Sequence, residues 1–137
     1  MKVPHLLLVE GDPTQFASLI EAVRSLGLRT GWLDLDGASS PIPETLDVAA
    51  GLGVLRAVSV GAGRSVAVKP LRGAPVLKDL LREHFQGCAL VLLRGEAEAP
   101  ALRIEDQAWI VTPPGSASRR YTVTDLAAAL RKPHPWV

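Results

Sequence analysis

The sequence predicts an α/β fold: three layers, with helices on a mainly parallel sheet and an added β-hairpin. Three observations carry this. Leu6-Leu7-Leu8-Val9 and Cys88-Ala89-Leu90-Val91-Leu92-Leu93 are unbroken apolar runs, which suit strands covered on both faces rather than half-exposed ones. Each run adjoins a segment of helical periodicity, with Phe16, Leu19, Ile20 and Val23 after the first and Val76, Leu77, Leu80, Leu81 and Phe85 before the second. Between them, the β-rich runs 54–60 and 65–69 flank Gly61-Ala62-Gly63-Arg64, a hairpin signal.

The elements follow in order. After the first strand, Asp12-Pro13-Thr14-Gln15 supplies an N-cap carboxylate, a proline at the first helical position and a glutamine three residues past the cap. Gly27 sits where a C-terminal cap glycine belongs, so residues 28–35 form the second strand. Residues 36–41 are loop chemistry. Pro43 opens a short helix that Gly51-Leu52-Gly53 ends. The hairpin is expected at a sheet edge, followed by a helix over 75–85 closed by Gly87 and a central strand over 88–93. Residues 95–100 form a turn, and 101–104 read equally as a short strand or a helix turn. Residues 108–112 form a strand that Pro113-Pro114-Gly115 stops, and 116–120 read as a basic polar loop. A helix over 122–131, capped by Thr122 or Thr124, closes a single α/β domain spanning 1–131. The tail 132–137, with two prolines, cannot be helical.

Composition narrows the function classes. At 137 residues the chain is long enough for one core without a disulfide or metal staple. A net charge of +1 gives no mandate for nucleic acid or an acidic membrane surface, and no strand interleaves aromatic with basic residues. The lone Cys88 excludes an internal disulfide, and as the start of an apolar strand it reads as a packing residue. His5, His84 and His134 lack ligand spacing, so no metal site is expected. The first apolar run is too short for a signal peptide, and no segment nears the ~20 apolar residues that span a bilayer, so a cytoplasmic location is expected. Arg56, Arg64, Arg72, Arg94, Arg119 and Arg120 sit mostly at turns and read as a mixed solvated surface. Asp34 and Asp36 share one face near the C-terminal end of the second strand, where α/β proteins hold ligands. Trp136, on a non-helical end, is a candidate dimer contact.

In this order of elements the chain resembles the molybdopterin-guanine dinucleotide biosynthesis protein B (MobB-type) family. These are P-loop proteins that act beside the guanylyltransferase completing the molybdenum cofactor. Residues Val9 to Leu19 lie without a gap over the family's Walker A loop, V-G-x-S-G-S-G-K-T-T-L. Gly27 to Asp36 lie over its second strand, Ala50-Gly51-Leu52-Gly53 is similar to its A-G-A turn, and Leu90 to Gly95 to its L-V-L-V-E-G strand end. The likeness covers residues 5–104, and the departures fall on the chemistry. A Walker A loop needs small residues whose amides wrap phosphate, a lysine, and a hydroxyl for magnesium. Here Glu10 and Gln15 stand at glycine positions, Phe16 at the lysine and Ala17 at the hydroxyl, while Gly11 and Asp12 complete the turn. The family's Lys and His on the second strand are Asp34 and Leu35, and the acid before Gly95 is Arg94; Asp36 and Gly95 are retained.

The resemblance therefore implies a P-loop-NTPase-like fold whose phosphate loop has lost NTP binding. It implies a non-catalytic adaptor or binding module without a cofactor, partnered by a guanylyltransferase-like protein. Asp34, Asp36, Arg94 and Gly95 are its candidate ligand-binding residues, and homodimerisation is expected through the hairpin edge. A second resemblance, to response-regulator receiver domains, rests on Leu7-Leu8-Val9-Glu10-Gly11-Asp12-Pro13 and on Trp109-Ile110-Val111-Thr112-Pro113. It implies a strand order of 2-1-3-4-5. Residues 54–69 hold no acid to accept a phosphoryl group, and Thr112 replaces the switch lysine, so this reading implies a pseudo-receiver that binds a protein partner.

Overall fold

In a computed structural model, the structure describes residues 3–35, 42–71 and 73–136. The chain clusters into two compact units, 1–36 with 80–137, and 37–79. The first unit holds a six-stranded sheet of β1 (His5–Leu8), β2 (Thr30–Asp34), β5 (Leu90–Arg94), β6 (Ala101–Glu105), β7 (Ala108–Thr112) and β8 (Arg119–Tyr121). Their order is β2-β5-β1-β6-β7-β8. The first four run parallel; β7 is antiparallel to β6, and β8 to β7. The sheet is mainly parallel, as the unbroken apolar runs predict. Because β5 lies between β2 and β1, this is not the receiver order, in which the first two strands adjoin.

One face of the sheet carries the main core cluster, while Val91, Leu93 and Ile110 are buried on the other. Leu7 of β1 and Val9 just after it, Leu90 and Leu92 of β5, Leu102 of β6, and Trp109 and Val111 of β7 pack with Phe16, Leu19 and Val23 and with Leu126, Ala127 and Leu130. The covering helices are α1 (Ala17–Ser25) and α4 (Val123–Ala129), which pack on each other. Thr122 is the cap of α4, its Oγ1 accepting from the Asp125 amide at 3.1 Å. On the opposite face, the Phe85 ring lies so close to Gly31 that a Cβ there would collide with it. That ring follows α3 (Leu77–His84).

Several expectations are corrected. The first helix does not start at Pro13: Pro13–Phe16 is a 3-10 turn, and α1 begins at Ala17. The ambiguous stretch after Pro100 is strand β6, and Arg119–Tyr121, expected as loop, is strand β8 because β7 offers it a free edge. The tail docks on its own chain. Pro135 is buried, Trp136 meets the rings of His5 and Tyr121 edge-on at 6.3 and 6.1 Å, and the Tyr121 hydroxyl donates to the Pro135 carbonyl at 3.4 Å.

The second unit holds α2 (Glu44–Gly51) and the antiparallel pair β3 (Ala57–Val60) and β4 (Ser65–Val68). The hairpin forms as predicted but is a sheet of its own rather than the edge of the larger one. Arg72 and residues 36–41 lie outside the described residues.

Candidate functional site

The parallel strands β1, β2 and β5 end together, and it is outside such strand ends that open α/β sheets hold their ligands. The loop after β1 is the stretch that lies over a phosphate-binding turn. Its own side chains fill it. Asp12 caps the 3-10 turn, and its Oδ1 accepts from the Thr14 amide at 2.9 Å and from the Thr14 hydroxyl. The Gln15 amide donates to the Asp12 carbonyl at 3.2 Å, and the Ala17 amide to the Thr14 carbonyl. The amides of Thr14, Gln15 and Ala17 are thus committed within the chain, where a phosphate-wrapping loop leaves such donors for its ligand.

Geometry at the flanking positions points the same way. Gly11 has φ of 108°, and a Cβ there would run into Oε1 of Gln15, whose side chain folds back over the turn. Glycine at this point lets the loop close on that glutamine. Phe16, at the lysine position, is 3% exposed and packs between Trp32 and Trp109, with ring centroids 6.2 and 6.4 Å away. It points into the core, as the apolar stripe of the helix predicts, while Glu10 and Ala17 are exposed.

Arg94 ties the three loop starts together. It stands opposite Asp34 in the β2–β5 register, and its Nε lies 3.6 Å from Asp34 Oδ1. Its Nη1 donates to the Gly11 carbonyl at 3.4 Å. The structure brings Asp34 and Arg94 of the proposed ligand-binding group together, with Gly95 next along the chain at φ of 119°, and adds the Gly11 carbonyl of the phosphate-loop stretch, a contact the sequence did not anticipate. Asp36 lies outside the described residues. The Thr14 hydroxyl, then the Thr14 amide, hold the Asp12 carboxyl below the usual carboxylate range; the Gln15 amide and the Arg94 charge add to this. Asp12 therefore stays an anion at the mouth of the turn, which opposes a phosphate there.

A second concavity escapes sequence reading. A cavity of about 690 Å³ lies by the start of β1, walled by His5, Glu98, Pro113, Arg119, His134 and Trp136 among others. These residues come from four separate stretches with no common spacing, so no local signal marks them, and none belongs to the proposed site. Among the described residues, no three His, Cys, Asp or Glu side chains are placed to hold a metal ion. No helix among them is long and apolar enough to cross a membrane. Comparison of the chain with protein-family models and with curated proteins finds no match.

Proposed function

We propose that this chain is a non-catalytic binding module of P-loop descent, an adaptor similar to the MobB-type proteins of molybdopterin guanine dinucleotide biosynthesis. The single observation that carries the non-catalytic part is the closed turn after β1. Phe16 is buried against Trp32 and Trp109 where a P-loop sends its lysine to phosphate, and Asp12 takes up the Thr14 amide. The molybdenum-cofactor context comes from the resemblance of residues 5–104, and with it a guanylyltransferase-like protein as the partner. The strand order favours this over the pseudo-receiver reading, since β5 separates β1 from β2. An enzyme built on Asp34 and Arg94 has less support, because Arg94 is engaged by Asp34 and by the Gly11 carbonyl.

Isothermal titration with GTP and with ATP, each with and without magnesium, tests the closed turn. The expected result is no saturable heat at micromolar nucleotide. Magnesium-dependent micromolar binding, lost on substituting residues of the 10–17 turn, would overturn the proposal. The adaptor role is tested by co-purification with a molybdenum cofactor guanylyltransferase, and failure to form that complex removes the pathway assignment while leaving the closed turn standing.

A further inference from the structure

The cavity by the start of β1 lies within one unit, since every residue of its wall belongs to 1–36 or 80–137. It exists because the sheet is incomplete there. β6 joins β1 only at Leu8, opposite Ala101, so the first residues of β1 have no strand on that side. Backbone groups along a strand turn alternately to its two neighbours. The amides of His5 and Val9 donate to the Ala89 and Leu93 carbonyls on the β5 side, at 2.9 and 2.8 Å, and that of Leu8 to the Pro100 carbonyl at 2.7 Å. Leu6 therefore turns both its N–H and its C=O toward the missing strand, and among the described residues neither has a partner. Were the ladder to continue, the donor to the Leu6 carbonyl would be residue 100, a proline with no N–H to give. Leu6 is part of the cavity wall.

The side chains around this open edge carry a matching pair of charges. Apart from His5 and His134, the ionisable residues of the wall are Glu98 and Arg119. Among the described residues neither side chain makes an ion pair or hydrogen bond, with the other or with anything else. An exposed acid and an exposed base thus share one concavity unpaired. The rest of the wall is stiff and mostly apolar. Pro4, Pro100, Pro113, Pro133 and Pro135 each fix their own φ. The loop after β7 is held by a turn in which the Ser116 amide donates to the Pro113 carbonyl at 3.1 Å, with Gly115 at φ of 68°. The Thr112 and Ser118 hydroxyls bond across it at 2.6 Å. Trp136 is pinned by the rings of His5 and Tyr121, and His5 by its Nε2, which donates to the Leu130 carbonyl at 3.1 Å.

We propose that this cavity binds a free α-amino acid with an apolar side chain. In an antiparallel hydrogen-bonded pair, one residue exchanges both of its backbone bonds with a single partner residue. A free amino acid completes Leu6 in that way, its carboxylate accepting from the Leu6 amide and its ammonium donating to the Leu6 carbonyl. Arg119 then matches the carboxylate and Glu98 the ammonium, while the prolines and Trp136 meet the side chain. A purely anionic ligand would face Glu98, and a purely cationic one Arg119; the zwitterion satisfies both. The volume of about 690 Å³ suits a small-molecule site. This inference does not rest on the closed turn after β1, and either can fail alone.

Titration of the isotope-labelled chain with L-phenylalanine, followed by amide chemical shifts, tests it. Saturable shifts are expected at the Leu6 amide and within 98–100, 113–119 and 133–136, with a Kd of about a millimolar or below, as suits a small ligand at an open site. N-acetyl-L-phenylalanine, which lacks the ammonium, and L-phenylalaninamide, which lacks the carboxylate, are each expected to bind about tenfold or more weakly. Glu98→Gln is expected to shrink the preference for L-phenylalanine over the acetyl compound, and Arg119→Gln the preference over the amide; both side chains are exposed, so the fold is kept. Arg120→Gln, on the opposite face of β8, is expected to change neither preference. An absence of saturable shifts at tens of millimolar ligand, or shifts confined to other residues, would overturn the proposal. So would equal binding of the three compounds, or preferences that the Glu98 and Arg119 variants leave unmoved or that Arg120→Gln moves as far.

Discussion

Phe16 decides how the loop after β1 is to be understood. A lysine at that position would have to leave the core and extend toward an anion. A phenylalanine instead gains by burial between Trp32 and Trp109, and it pulls the start of α1 onto the sheet. Phe16→Ala is expected to lower stability by roughly 3–5 kcal/mol, read from the urea midpoint, because it empties a fully enclosed ring site. Phe16→Lys is expected to destabilise as well, by placing an ammonium among aromatic side chains, without creating nucleotide binding while Asp12 still holds the Thr14 amide. A variant that kept wild-type stability would show that the ring is not part of the core. Arg94 has a comparable role at the surface, joining β5 to Asp34 of β2 and to the Gly11 carbonyl.

At the scale of elements, the apolar runs of β1 and β5 and the stripe of α1 were legible because burial on the sheet demands those patterns. Turn chemistry was harder to read. Asp106 and Gln107 join β6 to β7 with φ of 49° and 65°, the two left-handed residues of a tight primed turn. That turn usually announces itself by Asn-Gly or Asp-Gly, and Asp-Gln hides it. Gln107→Gly is therefore expected to raise stability by about 1 kcal/mol, seen as a higher melting temperature, because it relieves a side chain in the left-handed region. A lowered melting temperature would show that the glutamine side chain makes a compensating contact. β8 was missed for a related reason: three residues rich in arginine carry no strand pattern, and only the free edge of β7 makes them one.

The two units differ in what holds them as molecules. The core cluster of the first draws on α1, α4 and the sheet, and includes no residue between 37 and 79. Replacing residues 42–71 with a flexible glycine-serine linker is expected to leave a chain that still unfolds cooperatively, with the near-UV signal of buried Trp109 retained. Loss of that transition would show that the second unit is part of the first unit's stability.

The sequence by itself determined that the apolar runs of β1 and β5 are buried strands, that α1 carries an apolar stripe, that Thr122 is a candidate cap of α4, and that the turn after β1 lacks the groups that grip phosphate. Those properties are local, written in periodicity and residue type. Only the tertiary structure decided that β5 lies between β1 and β2, that the hairpin forms its own sheet, that Trp136 returns to meet His5 and Tyr121, and that Asp12, Gln15 and Phe16 close the turn. Each of these depends on which distant surfaces compete for the same apolar area or hydrogen-bonding edge, and that competition has no signature at short range along the chain.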